Sequence, residues 1–297
     1  MSFNLQAAIN DLPAEGGIVQ LPRGEIACPA SITISKNHVT LQGQGKGGFY
    51  EQQGATTLTF PAGVTGIDIT GQRCVLSDFT VLSASTQAGL DNGIQNRGGG
   101  TVIKRVTLAH FGNAGLFTQG NSPTTADLWK YDCVESAYNF GDGFLWASPC
   151  TDNHLGIALI CTSSLNGGWG FNIQCAQKNE FHACMVQGNA LGGYNVNSPN
   201  NYFFNCYAEE GTGSSFIIQP GMLNIHAWFD SFGAPDQLLD NSGTGANEIH
   251  FWSAQDLPCV NQINLGTLDG KTTAQLYVDD TGFSIWQNGL KIYPPAS

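Results

Sequence analysis

Charge is what this chain has least of. Only 11% of its 297 residues are charged, and 11 Lys and Arg face 23 Asp and Glu, a net charge of −12. A surface so poor in cations repels polyphosphate, which argues against a nucleic-acid partner. Lys178 is the only Lys or Arg between Lys130 and Lys271, so a basic catalytic group in the central chain is not expected. No basic segment followed by a long apolar run occurs near Met1, so neither a secretory leader nor a membrane span is expected, and synthesis in a bacterial cytoplasm is. The 9 Cys include no C-x-x-C pair. Zinc and a disulfide framework are therefore not signalled, buried reduced thiols are the expectation, and no metal or cofactor is implied. With charge scarce and mean hydropathy near neutral at −0.10, uncharged polar residues must keep the chain in water. The 38 Gly point to a β architecture with many corners.

A repeat organises the rest. Ile103, Leu128, Leu155, Phe181, Phe203, Ile225 and Ile249 fall into one column at intervals of 22 to 27 residues. Three positions on stand Val106, Tyr131, Ala158, Cys184, Cys206, Trp228 and Trp252, nearly all suited to burial. After a Gly/Asn/Ser-rich loop, Leu116, Phe144, Phe171, Tyr194, Phe216 and Leu238 are the first inward residues of a further strand. A strand, a one-residue corner, a second strand, a loop and a third strand per unit make a right-handed, single-stranded parallel β-helix. In Phe203-Phe204-Asn205-Cys206, Phe203 points in, Phe204 out, and Asn205 takes the left-handed corner. The one helix-like segment, Phe3 to Leu12, reads as an N-terminal cap. The expected organisation is a cap at 1–16, the β-helix at 17–257 and a C-terminal β-strand module at 258–297.

The runs Gly17-Ile18-Val19-Gln20-Leu21-Pro22-Arg23-Gly24 and Val39-Thr40-Leu41-Gln42-Gly43-Gln44-Gly45 resemble the opening rungs of the pectate-lyase-like β-helix superfamily. Ala7-Ala8-Ile9, Gly66-Ile67-Asp68-Ile69 and Val75 to Val81 continue the resemblance. From Leu276 to Tyr293, alternating strands joined at Asp-Thr-Gly and Asn-Gly turns resemble the modules that end bacteriophage tail fibres and tailspikes. The resemblance implies a virion-associated, homotrimeric, tailspike-like protein that meets other virion proteins and binds, then hydrolyses, a bacterial surface polysaccharide. One departure is that the chain begins almost directly with the cap, leaving no room for a particle-binding head. A non-catalytic virion decoration or receptor-binding β-helix is the alternative, and a secreted polysaccharide lyase or epimerase a third. Gly141-Asp142-Gly143 without a Gly-His-Gly does not support carrying over a polygalacturonase site. Gly43-x-Gly45-x-x-Gly48 lacks a surrounding βαβ unit and reads as a turn, not a dinucleotide loop.

Two outward columns carry the candidate chemistry. One holds Val102, Asp127, His154, Glu180, Tyr202, Asn224 and Glu248, the other Lys104, Trp129, Gly156, His182, Phe204, His226 and His250. With rungs about 4.8 Å apart they would form a face of acids, imidazoles and rings. Trp129, His154, His182, Tyr202, Phe204 and His226 are the candidate glycan contacts. Asp127 and Glu180, two rungs apart at about 9.6 Å, would bring their carboxyl groups near the roughly 6.5–9.5 Å of an inverting glycosidase. Glu135 and Asp142, flanking Tyr138-Asn139-Phe140, are the rival acids, with Glu209-Glu210 above them. A third outward column of Leu159, Met185, Tyr207 and Phe229 suggests a subunit interface. Phe117, Leu145, Asn172, Asn195, Ile217 and Leu239 line the outside of the strand after the loop.

Overall fold

The structure, a computed structural model, describes residues 3–48, 54–120, 126–149, 153–209, 213–231, 238–240, 247–252, 263–265, 274–279, 282–287 and 290–293, with no side chains after 228 except at 247–249. Each turn of the chain lays down three short strands. Lys130–Asp132, Ile157–Leu159 and Glu180–His182 stack as a first side. Glu135–Ala137, Thr162–Ser164 and Met185–Gln187 form the second. Asp142–Trp146, Trp169–Ile173 and Gly192–Val196 form the third. All these pairings are parallel, and the first two sides merge into one sheet because strands such as Tyr202–Glu209 run through the corner between them.

The third side keeps the expected register: Leu116, Phe144, Phe171, Tyr194, Phe216 and Leu238 pair rung to rung. On the first side the inward column is Ile103, Tyr131, Ala158, Phe181, Phe203, Ala227 and Ile249. Leu128, Leu155 and Ile225 therefore do not belong to it. Leu128 and Leu155 are 62% and 55% exposed at left-handed corners, φ 57° and 58°. The core space is filled by Tyr131 and by Trp129, whose rings stack at 4.4 Å. Hydrophobicity placed the leucines inside; ring volume put them out. Val106, Val134, Cys161, Cys184 and Cys206 follow the next corner, all buried.

That corner is occupied by Asp78, Arg105, Cys133, Ile160, Ala183 and Asn205, at φ between 49° and 65°. Asn205 was expected there. The others occupy a region that costs an L-residue roughly 1–2 kcal/mol, and the N–H groups of Cys133, Ile160 and Ala183 are tied to the next rung, as in Ile160 N to the His182 carbonyl at 2.9 Å. Behind the third corner, buried Asn139, Asn166 and Asn189 form a carboxamide ladder, each Nδ2 donating to the next Oδ1 at 2.9 Å. Buried polar groups need such partners, and the ladder lets a dry core turn sharply.

The cap is shorter than expected, Leu5–Asn10, because Pro13 follows closely and disfavours helix in the residue before it. Asn4 Oδ1 accepts the Ala7 N–H at 3.0 Å, and Leu5 and Ile9 close the end of the core. Cys28, Cys74, Cys133, Cys161, Cys184 and Cys206 are free; burial pushes the Cys28 thiol up to about 11. Cys175, half-buried in a loop after the third side rather than in the core, is disulfide-bonded, which corrects the expectation of reduced thiols throughout. Ile263–Leu265, Ala274–Asp279, Gly282–Gln287 and Leu290–Tyr293 make a separate antiparallel sheet. No described helix is long and apolar enough to cross a membrane.

Candidate functional site

The first side's outward columns are shifted from the expected ones. Val102, Lys130, Ile157, Glu180, Tyr202, His226 and Glu248 form one, and Lys104, Asp132, Leu159, His182, Phe204, Trp228 and His250 the other. Glu180, His182, Tyr202 and Phe204 are where the sequence put them, and His226 moves across to the Tyr202 column. His182 stacks on Phe204 at 4.7 Å, Phe204 on Trp228 at 5.1 Å and Tyr202 on His226 at 5.1 Å. His182 Nε2 lies 2.8 Å from Glu180 Oε2, and His226 Nδ1 3.1 Å from Glu248 Oε2. Phe204 is thereby stacked on both faces, by His182 and by Trp228.

Asp127, His154 and Trp129 fall outside this face. Asp127 Oδ1 accepts the His154 backbone N–H at 2.7 Å and lies 3.3 Å from His154 Nδ1. The corner residues Leu128, Leu155 and Lys178 separate that pair from the strand that carries Glu180. Asp127 and Glu180 thus stand two rungs apart, about 9.6 Å along the axis, on opposite sides of that corner. Trp129 is 1% exposed, donates to Asn153 Oδ1 at 2.9 Å and packs where Gly156 has no side chain, a Cβ there meeting Cε2 at 1.8 Å. It is core, not a glycan contact.

The rival acids are also apart. Glu135 opens a second-side strand and is ion-paired with Lys46, whose loop crosses the outer face and accepts the Thr107 hydroxyl at the Gly47 carbonyl, 2.9 Å. Asp142 opens a third-side strand, around the corner. Glu209 accepts from Gln187 Nε2 at 3.2 Å; Glu210 lies outside the described residues. The expected apolar stripe divides too: Met185 and Tyr207 pair on the second side, while Leu159 stands on the first between Asp132 and His182. Phe229's side chain is outside the described ones.

Asp142 sits in the most structured outward arrangement. Its Oδ1 accepts the Trp169 N–H and its Oδ2 the Asn172 Nδ2, both at 2.7 Å. Burial nevertheless lifts its carboxyl above the ordinary value, against the pull of those two bonds. Asn172 Oδ1 in turn accepts from Asn195 Nδ2 at 3.0 Å, and Asn195 Oδ1 from Gln219 Nε2 at 2.6 Å. Beside this row the half-buried indole of Trp169 reaches over Gly192 on the next rung: a Cβ at 192 would lie 2.6 Å from Cζ3. Asn172 and Asn195 were legible as outward residues. Trp169 and Gln219 were not, and the one available signal was the glycine a rung above the tryptophan. Among the described residues, no group of His, Cys, Asp and Glu is arranged to hold a metal ion.

Parallel strands wound three to a turn, left-handed corners and stacked inward rings define a right-handed parallel β-helix. Solved structures agree. The ORF18 protein of Geobacillus virus E2 matches at TM-score 0.54 and 12% identity over 95% of this chain and 69% of that one. A rhamnogalacturonan lyase matches at TM-score 0.52 and 12% identity over 82% and 81%. The receptor-binding tailspike of bacteriophage Det7 aligns at TM-score 0.32 and 10% identity over 99% and 85%. At these identities the likeness to the first two is one of fold. No protein-family model matches the sequence, and no curated protein does.

Proposed function

We propose that this β-helix is a tailspike-like virion protein that binds a neutral bacterial surface polysaccharide along the outer face of its third side. The observation that carries the reading is the Trp169 indole laid over Gly192 beside the amide row that ends on Asp142. An indole next to carboxamides and one carboxylate offers a sugar both an apolar platform and hydrogen bonds, and the −12 net charge disfavours an acidic glycan. The fold shared with a phage protein and with a polysaccharide lyase is in keeping with it. In this reading residues 1–16 cap the solenoid of 17–257, and 258–297 is the trimerising module.

Binding to capsular and lipopolysaccharide glycans, measured by titration calorimetry, tests the face. Trp169→Ala is expected to weaken binding about tenfold, roughly 1.4 kcal/mol, and Phe204→Ala less than about twofold. The reverse order would move the site to the first side. Hydrolysis is a second reading, favoured by a carboxylate at the end of the amide row, where it would act as the general base that activates water. New reducing ends made by the wild type and absent with Asp142→Asn would support it; Glu180→Gln and Glu135→Gln are the comparison variants.

The trimer draws on the corners. Leu128, Leu155 and Ile160, at 62%, 55% and 60% exposure, form apolar edges that a neighbouring copy would cover. Light scattering should give about three chains, falling toward one in Leu155→Glu. A monomeric wild type would end the proposal.

A further inference from the structure

We propose that Asp142 is a positioning residue that fixes the donor and acceptor direction of the whole third-side amide row, giving this face a single polarity. The inference deepens the saccharide reading of this face, and its physical half stands without it. A carboxylate can only accept hydrogen bonds. Asn172 must therefore turn its Nδ2 to Asp142 Oδ2, 2.7 Å away, which leaves its Oδ1 facing Asn195. Asn195 must then donate, at 3.0 Å, and so presents its own Oδ1 to Gln219, which donates at 2.6 Å. Each orientation is forced by the one before it.

A row made only of carboxamides would have no such preference. Turning every amide over exchanges donors and acceptors and yields an equally bonded row, so two arrangements would coexist. Asp142 at one end removes that symmetry. Gln219 stands three rungs away, about 14 Å along the axis, yet its amide is oriented by a residue it does not touch. Each amide keeps a further N–H and a further lone pair, repeated in the same order at every rung. A glycan chain also has a direction, and one pyranose unit is close to one rung in length. The polarised row is thus the element that would make binding directional.

The test is a double-mutant cycle between two positions without contact. Gln219→Glu puts two acceptors face to face at Asn195 while Asp142 holds the row. In the Asp142→Asn background the row can reverse, and Asn195 can donate to the new carboxylate. Urea unfolding in about 1 M salt, where the Debye length is near 3 Å, suppresses direct repulsion between the two carboxylates. Gln219→Glu is expected to raise the unfolding constant about tenfold alone and less than about twofold with Asp142→Asn. Equal cost in both backgrounds overturns the proposal.

If Gln219→Glu does not fold, side-chain amide NMR decides. The wild type should show one set of Asn195 Nδ2 resonances, and Asp142→Asn a second set or a displaced average. An unchanged Asn195 overturns the proposal. The saccharide reading fails independently, through Trp169→Ala leaving glycan affinity untouched, and coupling between 142 and 219 would then still support the fixed polarity.

Discussion

Phe181→Ala is expected to cost about 3–5 kcal/mol of stability, measured by the urea midpoint, out of the roughly 5–15 kcal/mol a folded domain holds. Phe181 is fully buried at the centre of the solenoid. Its ring stacks on Phe203 at 4.7 Å and meets Trp146 and Phe171 edge to face at 5.3 and 6.0 Å. Truncation removes the ring and leaves a hole that those neighbours cannot close, because each is held by its own rung. Rungs in a solenoid are stabilised only by the rungs beside them, so a central lesion should also broaden or split the transition. A loss below about 1.5 kcal/mol would mean that the core collapses freely, contrary to a close-packed stack.

Asn166→Ala should be comparably severe for an opposite reason, since little apolar area is lost. Asn166 Oδ1 accepts both the Asn139 backbone N–H at 3.0 Å and the Asn139 Nδ2 at 2.9 Å, and its own Nδ2 donates to Asn189. Removing the carboxamide leaves two buried donors without that acceptor. At about 1–3 kcal/mol for each orphaned group, the expected loss is about 2–6 kcal/mol. Thermal unfolding followed by circular dichroism checks it. A near-neutral result would mean that water enters the corner and replaces the ladder.

The fold was legible wherever one residue type carried the rung. On the third side the spacing from Leu116 through Phe144, Phe171, Tyr194 and Phe216 held, because a large apolar residue sits at the same offset after a small-residue turn in each unit. On the first side the same rule misplaced Leu128 and Leu155. A leucine at a left-handed corner is exposed despite its hydrophobicity, and the residues that fill the core, Trp129 and Tyr131, come one and three positions later. That shift carried Trp129, Asp127 and His154 onto a face they do not share with Glu180.

The candidate site was less legible. The sequence can set His182, Phe204 and Trp228 in a column, yet it cannot say that Phe204 would be stacked on both faces by the other two. Trp169 is defined by what is missing on another rung, at Gly192, which periodicity does not score. Asp142 was visible as an acid, but the amides of its hydrogen-bonded row lie one to three rungs away. Those partners are adjacent only once the register is known.

Sixteen non-glycine residues among those described have positive φ, and most fall into columns at the three corners. In a globular enzyme, an isoleucine held at φ 50°, as Ile160 is here, would draw attention as stored strain beside an active centre. In this molecule the same distortion recurs with the rung, as regularly as the tread of a spiral staircase. A map of backbone tension would therefore trace its edges from end to end and pass over the face that contains Trp169.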